Sequence, residues 1–206
     1  MLEKLLVFVE EPSMEIALEL LLPKLLGDVL FEIRRFQCKD DLLKRLPMEL
    51  KAIGSWLPDS WALLVLVDRD NDDCKVLKAQ LEKMAKAAGL RTMTAASPGQ
   101  RFHVANRIVV EELEAWFFGD WPAVQAAYPR VPPGLPKKAG FRDPDAIAGG
   151  TWEAMARVLK AAGYHQTGLR KLELARAVSA EMNPAMNSSK SFNSFRAAVD
   201  ALVSSR

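Results

Sequence analysis

The apolar residues fall into short continuous runs, three of which end in acid. Residues 5–9 (LLVFV) form one such run, closed by Glu10 and followed by Pro12, which predicts a short strand buried on both faces. Ser13 can cap a helix through Ala17, Leu18, Leu21 and Leu22, with Glu15 in its favourable first turn. Residues 29–36 predict a second strand. Asp40 or Asp41 can cap a helix through Leu42, Leu43, Leu46 and Leu50 that Pro47 should kink or break. Residues 61–67 (WALLVLV) are the most hydrophobic strand candidate, and they run straight into Asp68, Asp70, Asp72 and Asp73. Leu77, Leu81, Met84 and Ala88 then repeat at helical spacing, with Gly89 as the stop. Residues 91–95 suggest a further strand. Residues 108–110 predict another buried one, leading into a helix that holds Glu111, Glu112, Glu114 and Trp116.

Strands alternating with helices imply βαβ units, hence an α/β fold with a mainly parallel sheet covered by helices. At about 150 residues per domain, 206 residues make one domain or one with a small extension. The composition changes near Tyr128. Pro129, Pro132, Pro133, Pro136 and Pro144 share a stretch with Arg130, Lys137, Lys138 and Arg142, and helical patterns follow over 152–162, 169–182 and 191–203. The expected organisation is an α/β domain over 1–128, a basic Pro-rich connection over 129–150, and a helical subdomain over 151–206 packed on the first.

Charge follows the same division. Residues 1–128 hold 16 Lys/Arg against 20 Asp/Glu, whereas residues 129–206 hold 12 against 6. An acidic first part and a basic last part suit a chain that gathers carboxylates in one place and meets an anion with another, although scattered surface charge gives the same count. No apolar run is long enough to span a bilayer, which argues against a membrane role. The acidic, short N-terminal run does not fit a signal peptide. Cys38 and Cys74 are too few for a disulfide framework or a four-cysteine zinc site, which points to a reducing cytoplasm.

In a parallel sheet the strand ends share one edge, where ligands bind. Glu10, then Asp68 and Asp70, then Glu111 and Glu114 should therefore converge. Such a cluster is unfavourable unless a cation neutralises it, and oxygen ligands select Mg²⁺ or Mn²⁺. Glu15 and Asp72 are further candidate ligands, and Glu10 or Glu15 could act as a base. The alternative for each acid is plain: a strand terminus, a helix cap or a solvated turn. An EF-hand reading of Asp68, Asp70 and Asp72 fails, because Asp73 stands where Gly is needed, Ala79 where a bidentate Glu is needed, and a strand precedes the series.

This order of Glu after a first strand, DxD after a central strand and a later Glu before a helix resembles the Toprim catalytic domain. That domain occurs in topoisomerases, DnaG-type primases and nucleases of the overcoming-lysogenization-defect type. The strings VEEPSME (9–15), VLVDRDNDD (65–73), VEELEAWFFGD (110–120) and NSSKSF (187–192) are similar to a small bacterial family of uncharacterised Toprim-like proteins. The resemblance implies a Toprim-like sheet, catalytic Glu10, Asp68 and Asp70, and Glu111 or Glu114 as the late acid. It departs at Glu11, where the family usually has Gly, and at Met14, where the nuclease branch often has an acid.

The implied activity is Mg²⁺- or Mn²⁺-dependent hydrolysis of DNA or RNA, with phage defence as a setting by analogy. Arg170, Lys171, Lys190 and Ser191 are candidate phosphate contacts, set against capping of the last helix by Ser191 or Ser194. Trp116, Phe117, Phe118, Trp121 and Trp152 have core spacing, though they could stack bases. Only Tyr128 and Tyr164 could serve as a tyrosine nucleophile, which disfavours strand passage. Two other readings compete. One is a degenerate module docking on a separately encoded ABC/SMC-type ATPase, since the chain has no P-loop. The other is a haloacid-dehalogenase-like phosphatase, disfavoured by a DxD in a central strand and by Asn71-Asp72 where that motif has Gly-Thr or Gly-Val.

Overall fold

The computed structural model describes residues 1–70 and 72–205, so Asn71, with its part in the dehalogenase comparison, lies outside the described residues. Four strands, β1 (Lys4–Val9), β2 (Leu30–Arg35), β3 (Trp61–Asp68) and β4 (Val104–Val109), form a sheet in the order β2-β1-β3-β4. Every pairing is parallel, and β1 and β3 are neighbours in the register Leu5 to Ala62 and Phe8 to Val65. All four carboxyl ends therefore lie on one edge.

The unbroken apolar runs of β1 and β3 reflect burial on both faces. Successive side chains point to opposite faces of a strand. Leu6, Phe8, Leu63, Val65 and Val67 pack with α2 (Lys39–Gly54) and α3 (Cys74–Ala87). Leu5, Val7, Val9, Ala62, Leu64 and Leu66 pack on the other side with α1 (Pro12–Leu26). That second layer also receives α4 (Leu113–Gly119), α5 (Trp121–Ala127), α6 (Thr151–Ala161), α7 (Lys171–Glu181) and α8 (Lys190–Ser204). The helices after residue 150 thus share a core with the sheet: α7 lies along α1, and α8 covers β4.

Several local expectations change. Pro47 does not interrupt α2, because it faces solvent, where water can take up the carbonyl left without a donor. The cap of α2 is Cys38 and that of α1 is Glu11, with Pro12 opening the first turn of α1 and Ser13 inside it. Residues 91–95 contribute a single bridge, Thr92 to Val104, and not a strand. The helix after β4 breaks at Asp120, whose side chain accepts from the Ala123 amide and restarts the chain as α5. Between α5 and α6 the Pro-rich stretch forms three short 3₁₀ turns, Leu135–Lys137, Ala139–Phe141 and Pro144–Ala146. Among the described residues, no helix is long and apolar enough to cross a membrane.

Candidate functional site

Three of the four strand ends deliver acid to the same edge, whereas β2 ends in Arg35. The last strand residue of β3 is Asp68, and its backbone N–H donates to Glu10 Oε1 at 2.5 Å, which joins the ends of β1 and β3. Both side chains are largely enclosed, Glu10 with 8 % and Asp68 with 6 % of their surface exposed. From β4 the chain turns through Glu111 and Glu112 into α4, whose first turn buries Glu114 to 2 % exposure. Asp70 (φ 48°) and Glu111 (φ 63°) both adopt the left-handed backbone region, uncommon for residues with a Cβ, so the loops after β3 and β4 are strained at this edge.

The electrostatics follow from burial. The Glu10 carboxyl is pushed up to about 7, chiefly by loss of water, against the opposing pull of the Asp68 N–H and the Lys39 ammonium. Burial likewise raises Glu114 to about 7, partly countered by Lys171. Asp68 lies well above the usual carboxylate range, first because it is buried and then because Glu11, Glu10, Glu114 and Asp70 repel its charge. Two oxygens, Asp68 Oδ1 and Glu114 Oε2, are buried with no hydrogen-bond partner among the described residues. An unpaired buried carboxylate oxygen is costly, and such atoms call for a proton or a cation.

The other acids already have partners. Lys39 Nζ lies 2.5 Å from Asp70 and 3.0 Å from Asp72, and it also donates to the Arg69 carbonyl. Its own pKa is raised; burial alone would lower it, but these carboxylates outweigh that. The Arg69 guanidinium pairs with Glu111, and Arg35 holds Glu15 at 2.8 Å. Glu112 accepts from Thr151 Oγ1 at 3.2 Å and from the Trp152 amide at 3.1 Å, fixing the start of α6. Asp73 caps α3 by accepting from the amides of Lys75 and Val76.

Of the expected phosphate contacts, Lys171 stands among the acids, with its pKa raised because Glu114, Glu11, Glu112 and Asp68 outweigh its burial. Arg170 instead pairs with Glu173 at 3.1 Å. Lys190 Nζ pairs with Asp143 at 2.6 Å. The start of α8 already holds an anion from the chain itself: Asp145 accepts from the Lys190 amide and from the hydroxyls of Ser189 and Ser191. The capping side chain is Ser189, not Ser191 or Ser194.

The NSSKSF string fastens α8 to α4. Asn187 Nδ2 donates to the Trp116 carbonyl, Ser188 donates to the Gly119 carbonyl, and Trp116 Nε1 donates to Ser191 Oγ. Gly119 permits this approach, since a Cβ there would run into Asn187 Oδ1. Trp116 and Phe117 are fully buried and Phe118 and Trp121 nearly so, which makes them core, whereas Trp152 is exposed on α6 with the Lys171 ammonium 5.7 Å from its ring centroid. His165 Nε2 lies 3.0 Å from the Tyr128 hydroxyl, away from the carboxylates.

Two members of the cluster escape a motif-based reading. Glu11 exerts the strongest charge effect on Asp68, yet in sequence it reads as a departure from the expected Gly. Lys39 opens α2 and had no motif to mark it. The signal for Glu11 was its adjacency to Glu10 at the end of a buried strand.

The family model described as "Domain of unknown function (DUF4276)" matches residues 9–202, and the chain belongs to that family. No curated protein matches it. Among solved structures, the chain is similar to the C-terminal region of the Xanthomonas campestris pv. campestris OLD protein phased with iodine. That pair has 12 % identity and a TM-score of 0.49 over 97 % of this chain and 95 % of the other. The platinum-phased structure of the same region gives 13 % identity and a TM-score of 0.42 over 97 % and 94 %.

Proposed function

We propose that this DUF4276 protein is a Mg²⁺- or Mn²⁺-dependent phosphodiesterase acting on nucleic acid, centred on Glu10, Asp68 and Glu114. The observation that supports the reading is the pair of buried, partnerless oxygens, Asp68 Oδ1 and Glu114 Oε2, at the carboxyl edge of a parallel sheet. Hard oxygen donors fit a hard divalent cation. Among the described residues, no three Asp, Glu, His or Cys side chains are grouped so that they could hold a metal ion together. Mg²⁺ does not need three, because it keeps several waters and is commonly held by one or two carboxylates plus substrate phosphates. Asp70, Asp72 and Glu111 would join the set only by exchanging Lys39 and Arg69 for the ion, and Glu15 by leaving Arg35.

Hydrolysis joins a water oxygen to phosphorus, breaks one P–O ester bond and requires a base to take the proton. A bound divalent ion would acidify that water and stabilise the leaving oxygen. Glu10, a buried carboxyl fastened beside Asp68, would be the residue placed to take that proton. Lys171 sits where it can offset phosphate charge beside Glu114 and Asp68. Calorimetric titration with Mn²⁺, followed by cleavage assays on single- and double-stranded DNA and RNA, tests the reading. The expected result is Mn²⁺ binding lost in Asp68→Asn, with cleavage dependent on the ion.

A second reading, a non-catalytic module that docks on a partner, is favoured by the internal pairing of Asp70, Asp72 and Glu111 with Lys39 and Arg69. A folded wild-type chain that binds no Mn²⁺ would support it and overturn the first.

A further inference from the structure

Away from the carboxylates, α6 and the Pro-rich stretch line an open cleft of about 390 Å³. That is the size range of small-ligand pockets. Much of its lining is apolar, from Leu135, Val158 and the alanines of α6, with Phe141 the one aromatic ring. Arg130, Lys138 and Arg157 also line it, and no acid does. None of these cations pairs with a carboxylate among the described residues. Arg130 is held in place: its guanidinium lies 4.2 Å from the Tyr164 ring centroid and donates to the Gly163 carbonyl.

A cleft with an apolar lining, one aromatic ring and three cations that no carboxylate neutralises complements a flat ring flanked by phosphate charge. We propose that this cavity receives one unpaired nucleobase of a single-stranded nucleic acid, with the flanking phosphates on Arg130, Lys138 and Arg157. Base stacking on aromatic rings and cations tracking the backbone are the recurring means of holding single strands. The inference rests on the phosphodiesterase reading, and α6 links the two places. Its first residues bind Glu112 at the carboxylate edge. Arg157 follows Thr151 by six residues, about 9 Å along the helix axis. A base in a duplex is stacked and paired, so entry requires a free strand or a costly flip.

The test is fluorescence anisotropy of a labelled oligothymidylate with the full chain in EDTA, over a salt series. The double variant Lys138→Ala/Arg157→Ala should weaken binding about tenfold and flatten the log–log salt slope by about 1.4, two single-strand phosphate contacts. Ala161→Trp, on the exposed rim, should weaken binding comparably by filling the slot without removing charge. Unchanged affinity in both variants overturns the proposal, as does absence of binding by the wild type. Competition by duplex DNA equal to that by the single strand also overturns it. Displacement by dTMP as effective as by the oligomer would assign the slot to a free mononucleotide and overturn the strand reading. The carboxylate reading stands or falls separately, on Mn²⁺-dependent hydrolysis of bis(p-nitrophenyl) phosphate, which neither pocket variant should alter.

Discussion

Glu10 Oε1 accepts the backbone N–H of Asp68 at 2.5 Å, so the acid that ends the first strand is fastened to the acid that ends the third. The bond holds two repelling carboxyl groups together through a main-chain donor and leaves Asp68 Oδ1 without a partner. Parallel pairing of β1 with β3 imposes this meeting, because both runs end at the same edge.

Asp68→Asn should abolish Mn²⁺ binding while leaving the fold intact. Asn cannot ionise, so it removes a carboxyl whose charged form burial and Glu11, Glu10 and Glu114 all disfavour, which should keep or raise the melting temperature of the metal-free protein. Calorimetry and a thermal melt on the same sample check both halves. A variant with wild-type Mn²⁺ affinity would remove Asp68 from the site.

Stability of the metal-free protein should fall as pH rises through about 7. Glu10 and Glu114 each move from an ordinary 4.5 to about 7 in the folded state. The folded chain therefore binds more protons than the unfolded chain between those values. The contribution is fully present below 4.5 and is lost as pH passes the folded value. It amounts to a few kcal/mol, on the order of 1.4 kcal/mol for each pH unit separating the folded and unfolded values. Mn²⁺ affinity should run the other way, rising with pH as the protons leave. Urea unfolding and Mn²⁺ titration at pH 5.5 and 8 test the opposite slopes.

Lys39→Met should tighten cation binding. The ammonium neutralises Asp70 and Asp72 and acts on Glu10, so it occupies the role of an internal counter-ion. Without it the acids repel one another more strongly, so the metal-free variant should melt earlier and gain more from Mn²⁺ than the wild type. Equal Mn²⁺ affinity in the two proteins would mean that Asp70 and Asp72 take no part in binding.

Gly119→Ala should destabilise the chain by about 1–3 kcal/mol, the usual cost of forcing atoms into a packed place. The added Cβ would stand 2.8 Å from the Ser189 backbone N as well as against Asn187. That pushes α8 off α4 and disturbs the hydrogen bonds of NSSKSF. The measurement is urea denaturation, with Mn²⁺ binding expected to persist wherever the variant remains folded.

The strand runs were legible because burial on both faces leaves no room for polar residues, and β1 and β3 have none between their first residues and their terminal acids. The parallel sheet and the meeting of Glu10 with Asp68 followed from that pattern and the edge rule. Partner choice was not legible. Whether an acid at the edge is free or neutralised depends on cations from distant elements, as with Lys39 on Asp70, or from a neighbouring loop, as with Arg69 on Glu111. The anion expected at the start of α8 turned out to be the chain's own Asp145, which no spacing rule connects with Ser189 across 44 residues. Pro47 misled because a proline breaks a helix only where its lost hydrogen bond cannot be replaced.

The two lysines proposed to meet phosphate should separate cleanly by experiment. Lys171 opens α7 beside the carboxylates, and its charge is favoured by Glu114, Glu11, Glu112 and Asp68. Lys190 projects into solvent and is held by Asp143 at the far side of NSSKSF. Lys171→Met should push the Glu114 carboxyl further up, because Lys171 is the main charge pulling it down. A phosphate brought to that edge would then face acids with one fewer cation. Oligonucleotide binding in Mn²⁺ should weaken, and the log–log salt slope should flatten by about 0.7, one contact on a single strand. Lys190→Ala removes an exposed ion pair, and such pairs contribute little, so binding and salt slope should stay at wild-type values. Equal losses in the two variants would place the strand across α8 and away from the carboxylate edge.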